Sequence, residues 1–189
     1  MIETTKIKIE GIAPLLMHNG LLADPTNPFV IANKPVTAKG KNKTEEDQAF
    51  LDKNSWMGGL YTKDGKVIVP GLLLDATIMY GARKTKKGKH VECGVSVYDD
   101  PILDFPDKNK SIDWLYESGK YIDRRMVNVQ RARVARVRPR FNEWSLSFTV
   151  HFDNEVINGS QLLAFIDAAG AYVGLGDFRP RFGRFKRVS

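Results

Sequence analysis

The sequence predicts an α+β fold with a ferredoxin-like, RRM-like βαββαβ core, an antiparallel sheet, a long insertion after the first strand and some extra hairpins. Three observations lead there. Alternating apolar and polar residues open the chain and recur near residue 145. Helical apolar periodicity appears near residue 71 and again near residue 159. Taken in chain order, the segments read strand, helix, strand, antiparallel strands, helix, strand.

"TKIKIEGIAPLLMH" puts Ile7 and Ile9 on one face and Lys6, Lys8 and Glu10 on the other, the period of a half-buried strand. From about residue 19 to residue 55 that pattern fails. Prolines, asparagines and the cluster "KGKNK" offer little to a core, so this stretch is expected to be an inserted lobe within a single domain spanning 1–189. "GKVIVPG" reads as a short strand closed by a Pro-Gly break. A helix over 71–83 follows, with Leu72, Ala76, Met79 and Tyr80 expected on its inner face. "VECGVSVYDD" reads as a strand, with Cys93 as a small buried residue.

"RRMVNVQRARVARVRPRF" alternates imperfectly, and a bulge near Ala135 is expected to bring its arginines to one side. "EWSLSFTVHF" is the clearest strand, with Trp144, Leu146, Phe148, Val150 and Phe152 inward. A helix starting at Gly159-Ser160 places Leu162, Ile166, Ala169 and Val173 on one face. "RFGRFKRV" makes the last strand.

The net charge of +7 is unevenly spread. Residues 1–123 hold 17 Lys+Arg and 17 Asp+Glu, whereas residues 124–189 hold 12 against 5, and 11 of those 12 cations are arginine. Arginine forks onto phosphate and stacks on flat rings, so the excess points to nucleic acid. One cysteine and three scattered histidines suggest neither a disulfide framework nor a metal centre, and no cofactor is implied. "MIETTKIKIEG" lacks the pattern of a signal peptide and no run is long enough to span a membrane, so a cytoplasmic protein is expected.

A single-strand binder needs a cationic groove and aromatic faces for bases. Arg131, Arg133, Arg136, Arg138 and Arg140 are expected to form the groove, with Arg179, Arg181 and Arg184 beside it. Phe178 and Phe182 are either stacking platforms or, for Phe182 together with Phe185, core residues of the last strand. Lys39, Lys41 and Lys43, with Lys86 and Lys87 in the run from Lys84 to Lys89, are either phosphate contacts or solvated loop residues. Gly174 and Gly176 suit a tight turn whose amides can face an anion. They follow a helix and precede a strand, the reverse of a dinucleotide-binding fingerprint, and no Gly-Lys-Ser/Thr is present for a P-loop.

"VGLG" at 173–176, a six-residue spacer and Gly183 resemble the signature loop of the RAMP superfamily, the ferredoxin-like RNA-binding proteins of CRISPR effector complexes. "IEGIAPLLMHN" is similar to the family's opening strand, and "VIVPGLLLDATIMYGAR" to its strand, Pro-Gly, helix segment. The resemblance leans toward backbone subunits that line up in several copies along a guide RNA. It equally suits a stand-alone relative from a phage or mobile element. It implies a non-enzymatic binder of single-stranded RNA or DNA, RNA favoured, forming a homo-oligomer or multisubunit ribonucleoprotein. A metal-independent endoribonuclease of the same superfamily, using His18 as general acid or base, is the alternative. A phage assembly protein whose basic edge meets an acidic protein is the third reading.

Overall fold

A computed structural model describes residues 1–129 and 132–188, without the side chains at 128, 129, 132 and 133. The fold is α+β with antiparallel sheets. In chain order the strands and helices are β1 (Ile2–Gly11), β2 (Leu15–Leu16), α1 (Pro28–Thr37), α2 (Glu45–Gly59), β3 (Thr62–Lys63), β4 (Lys66–Val67), α3 (Gly71–Arg83), α4 (Gly88–Gly94), β5 (Val95–Ser96), α5 (Ile112–Glu117), β6 (Ile122–Val129), β7 (Ala132–Phe141), β8 (Ser145–Asp153), α6 (Gly159–Tyr172) and β9 (Phe185–Val188). They fall into two compact units. The first comprises Met1–Leu15, Thr62–Lys108 and Phe141–Ser189, and the second Leu16–Tyr61 and Asn109–Arg140.

The first unit is built on a sheet of order β5-β8-β1-β9, antiparallel at every pairing. Its inner face carries Ile7 and Ile9 with Leu146, Phe148, Val150 and Phe152, all buried, as the alternation predicts. Helices α3 and α6 pack on each other, α6 also meeting β9 and α3 meeting β5, and they bury Leu74 and Ile78 with Leu162, Phe165, Ile166 and Ala169. Burial of one such side chain is worth about 1.5–3 kcal/mol, so this layer dominates the unit's stability. Asn158 begins α6 with a reciprocal cap, its side chain accepting from the Gln161 amide at 2.9 Å.

The inner face expected for α3 is wrong. Leu72 is 79% exposed and Tyr80 38% exposed, while Leu74, Thr77, Ile78, Gly81 and Ala82 are buried. "LLLDATIMYGAR" is apolar on two stripes, so periodicity does not choose between them. The small residues choose, because a side chain at Gly81 would collide with the Phe165 carbonyl and Ala169 of α6. Residues 91–94, the first part of the segment read as strand, belong to α4, and only Val95 and Ser96 of that segment join the sheet. Cys93 is exposed there.

The second unit contains the inserted residues 16–61, joined by 109–140. Helix α1 starts at Pro28 behind the cap Asn27, and α2 starts behind a capping box of Thr44 and Asp47. Asn27 and Pro28, in the stretch expected to offer little to a core, are thus helix-start residues. Trp56 of α2, fully buried, donates its indole N–H to the Tyr121 carbonyl at 2.9 Å and meets the Tyr116 ring edge-on. The sheet here runs β2-β7-β6. Its hairpin keeps one register from Ile122↔Pro139 to Val129↔Ala132, with Met126 opposite Ala135, so the expected bulge is absent.

Candidate nucleic-acid interface

Two cationic sites are built, one in each unit. In the second unit the uninterrupted register sets Arg125 opposite Arg136 and Asp123 opposite Arg138, while the Arg140 amide donates to the Tyr121 carbonyl at 2.9 Å. Directly opposed residues and those two apart share a face, so Arg125, Arg136, Arg138 and Arg140 gather around Asp123. Asp123 is 4% exposed. It accepts from the Arg125 Nε at 2.6 Å and from its Nη2, and lies 3.9 Å from the Arg140 Nη1. That hydrogen bond pushes the Arg125 guanidinium above its ordinary range. One buried carboxylate thus sets the geometry of a face that keeps a surplus of guanidinium, and Arg136 enters no ion pair among the described residues.

Arg138, at 9% exposure, is more buried than a groove residue is expected to be. Arg131 lies outside the described residues, as does the side chain of Arg133. On the other side of the hairpin Arg124 pairs with the buried Asp52, which also accepts from Gln48 at 2.8 Å.

The second site lies at the end of α6 in the first unit. There the chain turns through Gly174 at φ 82°, Gly176 at φ 80°, Phe178 at φ 55° and Gly183 at φ 71°. Main-chain bonds fold the loop on itself: Gly174 donates to Ala169 at 2.9 Å, Leu175 to Gly183 at 2.8 Å, and Gly183 to Pro14 at 2.8 Å. A Cβ at Gly183 would stand 1.7 Å from the Leu175 carbonyl oxygen, which explains the glycine. The Gly174 amide is therefore turned inward, whereas that of Gly176 donates to no main-chain carbonyl among the described residues.

This loop and the end of α3 border an open cleft of about 670 Å³, lined by Tyr80, Arg83, Lys84, Tyr172, Phe178 and Arg179 with the Gly176 main chain. The Tyr80 ring is flanked by two guanidinium groups, with the Arg83 Cζ 4.7 Å and the Arg179 Cζ 5.5 Å from its centroid. Phe178 is 45% and Tyr172 64% exposed. Asp177 also lines the cleft and gives less negative charge than Arg83, Lys84 and Arg179 give positive.

Sequence reasoning placed Phe178, Arg179 and Gly176 here but missed Tyr80, Arg83 and Tyr172. The spacing of Tyr80 and Arg83, three residues apart on a helix, was the available signal.

The remaining candidates are dispersed. Phe182 is 6% exposed and packs edge-on to Phe178 with centroids 6.0 Å apart, so its ring offers no open face. Phe185 is likewise core. Arg181 is exposed, and Arg184 donates from Nε to the Pro180 carbonyl at 3.1 Å.

Lys86 and Lys87 are exposed beyond α3, in the same unit as the cleft. In the second unit Lys39 is bound to Asp47 at 2.7 Å, a contact that holds the Asp47 carboxyl below the usual range. Lys43 donates to the Gly40 carbonyl at 2.7 Å, and Lys41 is exposed. His18 is half-buried, and its main-chain carbonyl accepts from the Tyr61 hydroxyl at 3.2 Å. Among the described residues no helix is long and apolar enough to cross a membrane, and no group of three His, Cys, Asp or Glu is placed to hold a metal ion.

No family model matches the chain, and no curated protein matches it.

Proposed function

We propose that the protein is a non-enzymatic binder of single-stranded nucleic acid, RNA before DNA. Its first unit is read as a ferredoxin-like domain of RAMP type. The strand order β5-β8-β1-β9, with α3 following β1 and α6 following β8, supports that plan, since each helix connects two strands that flank a third. The preference for RNA and the assembly of several copies along a strand rest on the resemblance of the glycine loop.

The cleft beside that loop carries the binding reading. A single strand offers alternating phosphates and flat bases, and the cleft offers Arg83, Lys84 and Arg179 for the first with Phe178 and Tyr172 for the second. Its volume falls within the usual 300–1,000 Å³ or so of ligand pockets, room for a nucleotide. A duplex buries its base faces, so exposed rings interleaved with cations favour unpaired strands. The arginine face of β6 and β7 adds sequence-independent attraction for phosphate.

The experiment is equilibrium binding of labelled uridine and deoxythymidine homopolymers and of a duplex, at several salt concentrations, with the RNA recovered and sized afterwards. Tighter binding of single strands with steep salt dependence and intact RNA is the expected result. Equal affinity for duplex, or no binding at low salt, would overturn the reading. Cleaved RNA would move the protein to the endoribonuclease alternative.

A further inference from the structure

Tyr80 lies on the outward stripe of α3 and is 38% exposed. Its hydroxyl makes no hydrogen bond among the described residues, so what it brings to the cleft is its ring. Arg83 follows three residues later, and a helical turn sets the two side chains on one face. The Arg83 stem also lies against Gly88, where a Cβ would stand 2.6 Å from its Cγ. Arg179 reaches the same ring from the glycine loop.

With the Arg83 Cζ 4.7 Å and the Arg179 Cζ 5.5 Å from one centroid, a helix and a loop far apart in the chain hold their guanidinium groups over a single π system. Neither group enters an ion pair among the described residues. Two cations at one ring repel each other, and the ring quadrupole offsets that repulsion only in part. An anion placed between them relieves it.

We propose that Tyr80 is a positioning residue for phosphate, holding Arg83 and Arg179 in the geometry in which they fork together onto one phosphate of the bound strand. The inference rests on the single-strand reading and deepens it, since it gives the ring a task that touches neither base nor phosphate. An arginine that swings freely must lose rotamer freedom when it grips a ligand, and one already held on a ring loses less. No displacement is needed, because a guanidinium lies on an aromatic ring through its plane and keeps its N–H edge for phosphate oxygens.

The test uses the intact chain and a labelled uridine homopolymer over a salt series, with thermal melting of each variant as the check on folding. Tyr80→Leu removes the ring and leaves every charge, so affinity should fall roughly fivefold while the slope of log K against log salt stays as in the unmodified protein. Tyr80→Phe keeps the ring and should bind within about twofold of the unmodified protein. In the Arg83→Gln, Arg179→Gln background Tyr80→Leu should cost nothing further, because the residue acts only through those two side chains. Tyr80→Gln, polar and suited to an exposed helix position, repeats each measurement if Tyr80→Leu melts below the assay temperature. Unchanged affinity of the folded ring-less variant, or an equal loss in Tyr80→Phe, overturns the positioning role while leaving single-strand binding in place. An undiminished loss in the double-glutamine background overturns it too, and makes Tyr80 a direct contact of the strand. Failure of the homopolymer to bind the unmodified protein overturns the single-strand reading, and the positioning role with it.

Discussion

Replacing Arg83 and Arg179 together by glutamine tests the cleft most directly. Both side chains are exposed and neither takes part in an ion pair among the described residues, so the substitution removes charge without opening the core. What the fold loses is their attraction to the Tyr80 ring, about 0.5–1 kcal/mol for an exposed pair. Binding should lose more. Each phosphate neutralised on a single strand contributes about −0.7 to the slope of log K against log salt, so two lost contacts flatten that slope by about 1.4. Because the effect grows as salt falls below roughly 1 M, a slope change of about 1.4 means roughly 25-fold weaker binding near 0.1 M. Fluorescence anisotropy of a labelled uridine homopolymer across a salt series measures both quantities, with thermal melting as the control for folding. A Lys63→Gln, Lys66→Gln variant, on the hairpin of β3 and β4, removes the same charge away from the cleft and should change the slope by much less. Unchanged slope in the cleft variant, or an equal change in the hairpin variant, would refute the cleft as the interface.

Asp123→Ala should destabilise the second unit by about 3 kcal/mol, because it leaves the guanidinium groups of Arg125 and Arg140 without the buried carboxylate between them. A urea midpoint like that of the unmodified chain would contradict this. Gly183→Ala combines a left-handed backbone with a Cβ directed at the Leu175 carbonyl, and a loss of about 3 kcal/mol or more is expected in the same assay. Asp75 accepts from the Val97 amide at 2.8 Å, yet burial, the larger influence, pushes its carboxyl above the usual value. A raised acid pKa in the folded state means folding favours the protonated form, so stability falls as pH rises from the ordinary carboxylate value through the raised one. Asp75→Asn keeps an acceptor oxygen and should melt higher than the unmodified chain near neutral pH. The gap should close below the ordinary carboxylate range, and a gap that persists there would exclude titration of Asp75 as its cause.

Local patterning by itself determined the inner-face residues of β1 and β8, the extent of α3, the start of α6 with Leu162, Ile166 and Ala169 of its buried face, and the concentration of arginine after residue 123. In each case a strand or helix period, or a count of charges, is a property of neighbours in sequence and needs no partner to be read. The glycines of 174–183 were legible as a turn for the same reason. Only tertiary structure decided which stripe of α3 faces inward, because two were equally apolar and the close approach of α6 at Gly81 selects one. It also decided that 109–140 joins 16–61 in one unit, and that Asp123 anchors the arginine face through pairing across a hairpin. The open side of the glycine loop was likewise settled in space: Phe182 is turned into the core, and Tyr80 with Arg83 arrives from a helix about a hundred residues away in the chain. Composition supplies the cations and rings, but whether a ring is packed or presented depends on what the rest of the chain puts against it.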